Sequence, residues 1–155
     1  KKMAEVIAKA KLPSCLMHNR ETVEYNNFLE DVVSDLQETL NIAKKAGISK
    51  DTIILDPGVG FAKNYEQNLA ITNHLEVLDT LGCPVLLGTS RKSMIGLTLD
   101  LPSDQREEGT MVTTVWAVQK GCMFVRVHNV KANVRAKRKD KAQKIKHKRA
   151  IYKKR

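Results

Sequence analysis

Apolar residues along this chain follow two kinds of spacing: short uninterrupted runs, and longer stretches in which they recur every third or fourth position. That alternation predicts β-α units around a parallel sheet. The strand candidates are PSCLM (13–17), TIIL (52–55), VLLG (85–88) and CMFVRVH (122–128), the first preceded by the end of a helix. Between the first two strands, Leu29, Val32, Val33, Leu36, Leu40 and Ala43 fall on one helical stripe, and Gly47 supplies a C-terminal stop. Asn64 with Gln67 three positions on predicts a capping box for a helix running to about Thr80, and Gly82 and Pro84 mark the next boundary. Asp104 with Glu107 predicts a second capped start, for a helix that carries Trp116 and ends near Gly121. The strands begin near 13, 52, 84 and 122, so each interval holds one strand, one helix and two loops. Val130 and Val134 anchor one further helix. Beyond Ala136 the apolar face thins to Ile145, Ile151 and Tyr152, so residues 1–136 are expected to form the domain and 137–155 a basic tail, helical or disordered.

Charge sharpens that division. The net charge is +10, but residues 131–155 hold 13 of the 27 Lys and Arg with a single acid, leaving 14 basic and 16 acidic residues for positions 1–130. The body is therefore close to neutral. Tyr152 is the one aromatic in the tail, which offers no stacking platform for bases, and no specific nucleic-acid partner is expected. No apolar run approaches the roughly 20 residues of a membrane span, and KKMAEVIAKAK is amphipathic and charged, unlike a signal peptide. No membrane partner is expected, and the setting is expected to be cytoplasmic. Cys15, Cys83 and Cys122 form no C-x-x-C pair and lie in or beside apolar runs, so they are expected to be reduced, structural and buried.

Candidate chemistry collects where the strands end. His18, Asn19 and Arg20 follow the first, Asp56 the second, and Ser90, Arg91 and Lys92 the third, while Arg126 and His128 close the fourth. Parallel strands bring these ends to one rim, the face on which β/α barrels build active sites. Asp56, held by Pro57 and Gly58, is either a fixed acceptor pair for an amidine-like N–H edge or the cap of its own turn. Lys92 is a donor to a ring oxygen or nitrogen, or a surface lysine. TSRKSMIG begins a short helix, so Ser90 and the first helical amides suit a carboxylate or phosphate. Arg126, between Val125 and Val127, reaches an anion, stacks on a ring or pairs with an acid of the barrel. With His128 on the same side of the strand it makes a two-cation patch suited to pyrophosphate. His74 and His147 are expected on helix surfaces. Together these groups point to a planar, nitrogen-rich, anionic substrate.

LDPGVGFAKN, LLGTSRKSMIG and VRVHNVK, in this order and spacing and together with CLMH, resemble the C-terminal half of the dihydropteroate synthase family over roughly residues 3–138. The resemblance implies an α/β fold of TIM-barrel type, represented by about four C-terminal β/α units. It implies condensation of hydroxymethyl-dihydropterin pyrophosphate with p-aminobenzoate to 7,8-dihydropteroate and pyrophosphate, in folate biosynthesis. By motif, Asp56 resembles the carboxylate on the pterin's guanidine-like edge and Lys92 the lysine on its oxo and ring-nitrogen side. Arg126 resembles the arginine stacked on the pterin, and His128 the pyrophosphate-binding histidine. Met17, Phe61 and Gly88 resemble pocket-lining positions, and Ser90 the serine on the p-aminobenzoate side. Lys92 and Arg126 are the implied catalytic residues. Val59 stands where the family often has an aromatic, Ala62 where it has glycine, and Asn129 where Asp is usual. The implied cofactor is Mg2+, with its ligand in the family's N-terminal half, outside this sequence. Activity is expected to need that half, supplied by a longer gene product, a separate chain or a homodimer partner. The alternatives are a non-catalytic remnant that binds pterin weakly and a folate-dependent methyltransferase on the same barrel, against which SRKS and RVHN argue.

Overall fold

The computed structural model describes residues 2–139. In chain order these form α1 (Lys2–Ala10), β1 (Ser14–Met17), α2 (Phe28–Lys45), β2 (Ile53–Asp56), α3 (Tyr65–Asn73), β3 (Leu86–Leu87), α4 (Ser93–Leu99), α5 (Glu107–Gln119) and β4 (Phe124–Val125). Residues 130–139 are also helical, without a break at 136, and the remainder of the expected basic tail lies outside the described residues. β1 pairs with β2 in parallel from Ser14–Ile53 to Met17–Asp56, and β3 with β4 through Leu86–Phe124 and Leu87–Val125. A bridge from Leu55 to Val85, with the Leu55 N–H donating to the Pro84 carbonyl at 2.9 Å, joins the pairs in the order β1-β2-β3-β4. This is the arrangement of successive β/α units in part of a barrel, with every strand's C-terminal end on one rim.

The helical stripe of α2 is what covers the sheet. Val32, Leu36, Leu40 and Ala43 are buried, as expected from their spacing, and pack in one core with Ile53, Leu55, Leu75, Leu78, Val85 and Leu87. Leu36 and Leu55 are completely enclosed, each contributing about 2 kcal/mol relative to exposure. The core thus lies beneath β2 and holds its register, which is what aims Asp56.

Several expectations are corrected. The capping box forms, Asn64 accepting from the Gln67 N–H and Gln67 returning to the Asn64 N–H, but the α-helix stops at Asn73 and a 3₁₀ helix follows over Leu75–Leu81. Leu75, Leu78 and Leu81 are all buried, and a spacing of three is the 3₁₀ repeat, so the leucines set the tighter winding. Asp104 does not cap α5. It falls in a 3₁₀ turn, Ser103–Gln105, and Arg106 precedes the helix without a side-chain cap bond. Glu107 instead accepts from Asn133 Nδ2 at 3.0 Å. β4 is confined to Phe124–Val125 within the expected 122–128, because its ladder partner β3 has only two residues. Cys15 is exposed on β1, contrary to the buried position expected, while Cys83 and Cys122 are half-buried; all three thiols are free.

Candidate active site

β2 delivers Asp56 to the rim 3% exposed, and burial raises its carboxyl above the ordinary range. Four groups oppose that shift and favour the anion: the Gly58 N–H, then Arg126, Lys92 and Lys63. The Gly58 N–H donates to Oδ1 at 2.8 Å, while Oδ2 faces the Arg126 guanidinium at 3.8 Å. Both sequence readings of Asp56 hold together: one oxygen caps the turn, the other is turned to the rim. Gly58 has φ +70°, and a Cβ there would strike the His18 carbonyl, so the turn passes against the end of β1 by contact of backbones.

The turn continues through two more left-handed residues, Gly60 at φ +80° and Ala62 at φ +44°. Such a path costs a residue with a Cβ about 1–2 kcal/mol and persists only where its surroundings hold it. Here side chains take most of its carbonyls. Lys92 Nζ donates to Val59 at 2.5 Å, Lys63 Nζ to Phe61 at 3.1 Å and Tyr25 to Ala62 at 2.9 Å. Asn68 accepts from the Gly60 N–H at 2.6 Å and donates to Lys63 and Asn64 at 3.0 and 2.7 Å. His18 was expected at this rim only as a polar group after the first strand, without a role, and Lys63 and Asn68 were not expected at all; what joins them are partners distant in sequence, such as His18 with Lys63.

Across the rim, Gly88, Ser90, Lys92, Arg126, Val127 and His128 line a cleft of about 280 Å³. Five of these six are expected site residues, and Asp56 is linked to the group through Arg126. Lys92 lies with Nζ 4.1 Å from the centre of the Phe61 ring, and burial lowers the pKa of its ammonium. Gly88 forms the floor: a Cβ there would lie 3.1 Å from an Arg126 guanidinium nitrogen. Arg126 is held at the backbone, its N–H donating to the Leu87 carbonyl at 3.0 Å, while its side chain is 65% exposed. Ser90 does not open the following helix, which begins at Ser93. Its hydroxyl lies 2.8 Å from His128 Nδ1 and accepts from the His128 N–H at 3.2 Å. The first contact orients the imidazole and the second ties the His128 backbone to the same hydroxyl. Met17 is half-buried at the end of β1, in register with Asp56. His74 is exposed, as expected, and bonded to Glu76 at 3.3 Å; His147 lies outside the described residues.

The arrangement places a carboxylate edge beside three cationic or cation-capable groups around a ring-sized opening, suited to a flat hydrogen-bonding heterocycle with an anion on one side. It does not fit a hard divalent cation. Among the described residues no three His, Cys, Asp or Glu side chains converge, and the one carboxylate of the site already faces an arginine. A larger cleft of about 650 Å³ against the outer face of α5 is lined by Met111, Val112, Val115 and Trp116 among others and is mainly apolar. Among the described residues no helix is long and apolar enough to cross a membrane.

The family model described as pterin binding enzyme matches residues 1–128. The chain is 58% identical over 137 residues to the dihydropteroate synthase of Clostridium beijerinckii, covering 88% of this chain and 51% of that protein. It is 55% identical over 130 residues to that of Bacillus subtilis, covering 84% and 46%. Among solved structures, the Clostridium difficile dihydropteroate synthase in the presence of pteroic acid matches at a TM-score of 0.88 and 42% identity over 91% of this chain and 54% of that one. The Yersinia pestis dihydropteroate synthase matches at 0.89 and 37%, over 93% and 59%. The chain spans about half the length of these relatives, and the fold expected from sequence, part of a TIM-type barrel, is the fold shared with them. An agreement that runs through all four strand ends, over most of the described residues, makes this chain a member of the pterin binding enzyme family.

Proposed function

We propose that this chain supplies the pterin and pyrophosphate side of a dihydropteroate synthase. It would transfer the pterin-methyl group from hydroxymethyl-dihydropterin pyrophosphate to p-aminobenzoate within a completed barrel, in a cytoplasmic setting. The observation that carries this reading is the meeting of Lys92, Arg126 and His128 in one cleft, with Asp56 turned to Arg126 at its edge. In the proposed pose the outward oxygen of Asp56 accepts from the pterin's amidine-like N–H edge. Lys92 leaves the Val59 carbonyl to donate to the oxo and ring-nitrogen side. Arg126 covers the ring face and, with His128, takes the pyrophosphate. Met17, Phe61 and Gly88 wall the ring, and Ser90 serves the p-aminobenzoate side through its link to His128.

In the reaction the C–O bond to pyrophosphate breaks, the electron pair leaves with pyrophosphate, and the arylamine nitrogen forms the new C–N bond and loses a proton. Arg126 and His128 stabilise the departing anion, while Asp56 and the Phe61 ring stabilise positive charge on the pterin; this is electrostatic stabilisation of separating charge. Magnesium belongs to the family expectation for the leaving pyrophosphate. The described residues do not fit it, and none of these steps is routed through it.

Because the chain covers 51% of its Clostridium beijerinckii relative, we expect it to bind pterin alone and to turn over only when the rest of a barrel is supplied. The test is dihydropteroate formation by the chain alone and with the N-terminal half of that relative. Turnover by the chain alone would overturn the requirement for completion. In the completed enzyme, Asp56→Asn is expected to weaken pterin binding about 10-fold to 100-fold and Arg126→Ala to lower kcat; unchanged kinetics in both would overturn the site assignment.

A further inference from the structure

Beneath the rim, two chains of contacts start from Arg20 and finish on neighbouring carbonyls of the Asp56 turn. In the first, Arg20 grips Asp35 of α2 with both sides of its guanidinium, Nε to Oδ2 at 2.6 Å and a terminal nitrogen to Oδ1 at 3.1 Å. Asp35 Oδ2 lies 2.9 Å from His18 Nε2, His18 Nδ1 lies 2.8 Å from Lys63 Nζ, and Lys63 Nζ donates to the Phe61 carbonyl. In the second, the same guanidinium lies 4.4 Å over the Tyr25 ring, and the Tyr25 hydroxyl donates to the Ala62 carbonyl.

The proton arrangement of the first chain follows from its ends. A lysine ammonium has three donors and no acceptor, so His18 Nδ1 must present its lone pair; Nε2 then carries the proton and donates to Asp35. His18 is 2% exposed and Lys63 9%. Burial, then the Lys63 charge, holds the imidazole below its usual pKa, consistent with a neutral ring. None of these four groups lines the cleft. A buried lysine bonded to a histidine is a costly way to fill space, and its reach to Phe61 places it where two adjacent peptide planes are set.

We propose that Lys63 is a positioning residue for the ligand site: through His18 Nδ1 and the Phe61 carbonyl it fixes the strained turn that presents Asp56 and Phe61 to the ligand. Without it, the Phe61 carbonyl loses its donor, His18 Nδ1 loses the donor it faces while Nε2 keeps Asp35, and the turn around Ala62 keeps its left-handed backbone with one anchor fewer. The turn then samples other paths and Phe61 leaves its place beside Lys92. This rests on the pterin reading above, and the test separates the two.

Wild-type chain, Lys63→Met and Lys63→Arg are compared by amide hydrogen exchange, by the ¹⁵N resonances of His18 and by affinity for pteroic acid. In wild type, His18 is expected to be neutral with the proton on Nε2; a proton on Nδ1 overturns the proposal, and this arm needs no variant to fold. In Lys63→Met, amides of residues 58–62 are expected to exchange about tenfold or more faster than in wild type, against little change in β2 and β3, with pteroic acid bound about tenfold or more weaker. Lys63→Arg, which retains donors, is expected to bind more tightly than Lys63→Met. Unchanged exchange in 58–62, faster exchange with unchanged affinity, or equal affinities for the two variants each overturn it. If wild type fails to bind pteroic acid, the pterin reading fails while the exchange and tautomer arms still decide the role of Lys63 in the turn.

Discussion

The two sides of the rim are built differently. Asp56 stands on a four-residue strand buried by α2, on a turn whose carbonyls are taken by Lys92, Lys63, Tyr25 and Asn68. Arg126 and His128 follow a two-residue strand, and the Arg126 side chain is 65% exposed, with one distant acid, Asp56, as its charge partner among the described residues. The side proposed to read the pterin edge is therefore made in advance by this chain's own core. The side proposed to take the anion is left open. Cost follows use: a carboxylate recognising N–H groups gains from fixed direction, whereas cations facing a pyrophosphate act over longer range and tolerate movement.

The largest loss on the Asp56 side is expected from Gly58→Ala. Left-handed backbone and collision with the His18 carbonyl act together there, and a loss of about 4 kcal/mol is expected by denaturant titration. Gly47→Ala is its control. Gly47 has φ +84° but open space around its Cβ, so the loss should be only about 1.5 kcal/mol; equal losses would mean that the contact of turn and β1 is unimportant.

Lys63 gives the Asp56 side a pH-dependent stability. Lys63 is lowered to about 8, burial outweighing the favourable charges of Asp56 and Asp35, with Arg20 and Lys92 adding to the lowering. An unfolded lysine holds its proton up to about pH 10.4. Between those values the unfolded chain binds the extra proton, so stability rises with pH from about 8 to about 10.4 and is flat with respect to Lys63 below. The stability of wild type minus that of Lys63→Met should therefore grow over this window, by at most about 3 kcal/mol, measured as denaturation midpoints from pH 7 to 10.5. A constant difference would contradict it. The smallest effects separate the two sides once more. Ala62→Gly relieves a left-handed residue and should gain about 0.5–1 kcal/mol, whereas Arg126→Ala should leave stability within about 0.5 kcal/mol.

What could be read from sequence was what local chemistry determines. The capping box of Asn64 and Gln67 forms, and the apolar spacing from Leu29 to Ala43 places α2 on the sheet. The rhythm of strand ends brought Asp56, Lys92, Arg126 and His128 to one face. The failures are equally physical. Asp104 and Glu107 have the spacing of a cap, but Glu107 is drawn away by Asn133, 26 positions on. The leucines from 75 to 81 satisfy an α-helical pattern loosely and a 3₁₀ pattern fully, and packing chose the second. The relay under the turn joins Arg20, Asp35, His18 and Lys63, whose meeting depends on α2 crossing beneath β1 and β2. No local spacing encodes that. Ala62 is the instructive middle case: its departure from the family's glycine was visible in sequence, and its φ of +44° shows why glycine suits the position.

The Lys92 ammonium already has an acceptor in the Val59 carbonyl and an aromatic face in Phe61. In the proposed pose, in which Lys92 leaves Val59, a ligand that recruits it exchanges one hydrogen bond for another and gains only their difference. A ring lacking the matching oxygen leaves the lysine satisfied where it is, so this contact discriminates weakly between heterocycles. Among the described residues the outward oxygen of Asp56 has no hydrogen-bond donor, only an arginine at 3.8 Å. In the proposed pose, selectivity in this half of the barrel is thus asymmetric: demanding about donors on the ligand and forgiving about acceptors.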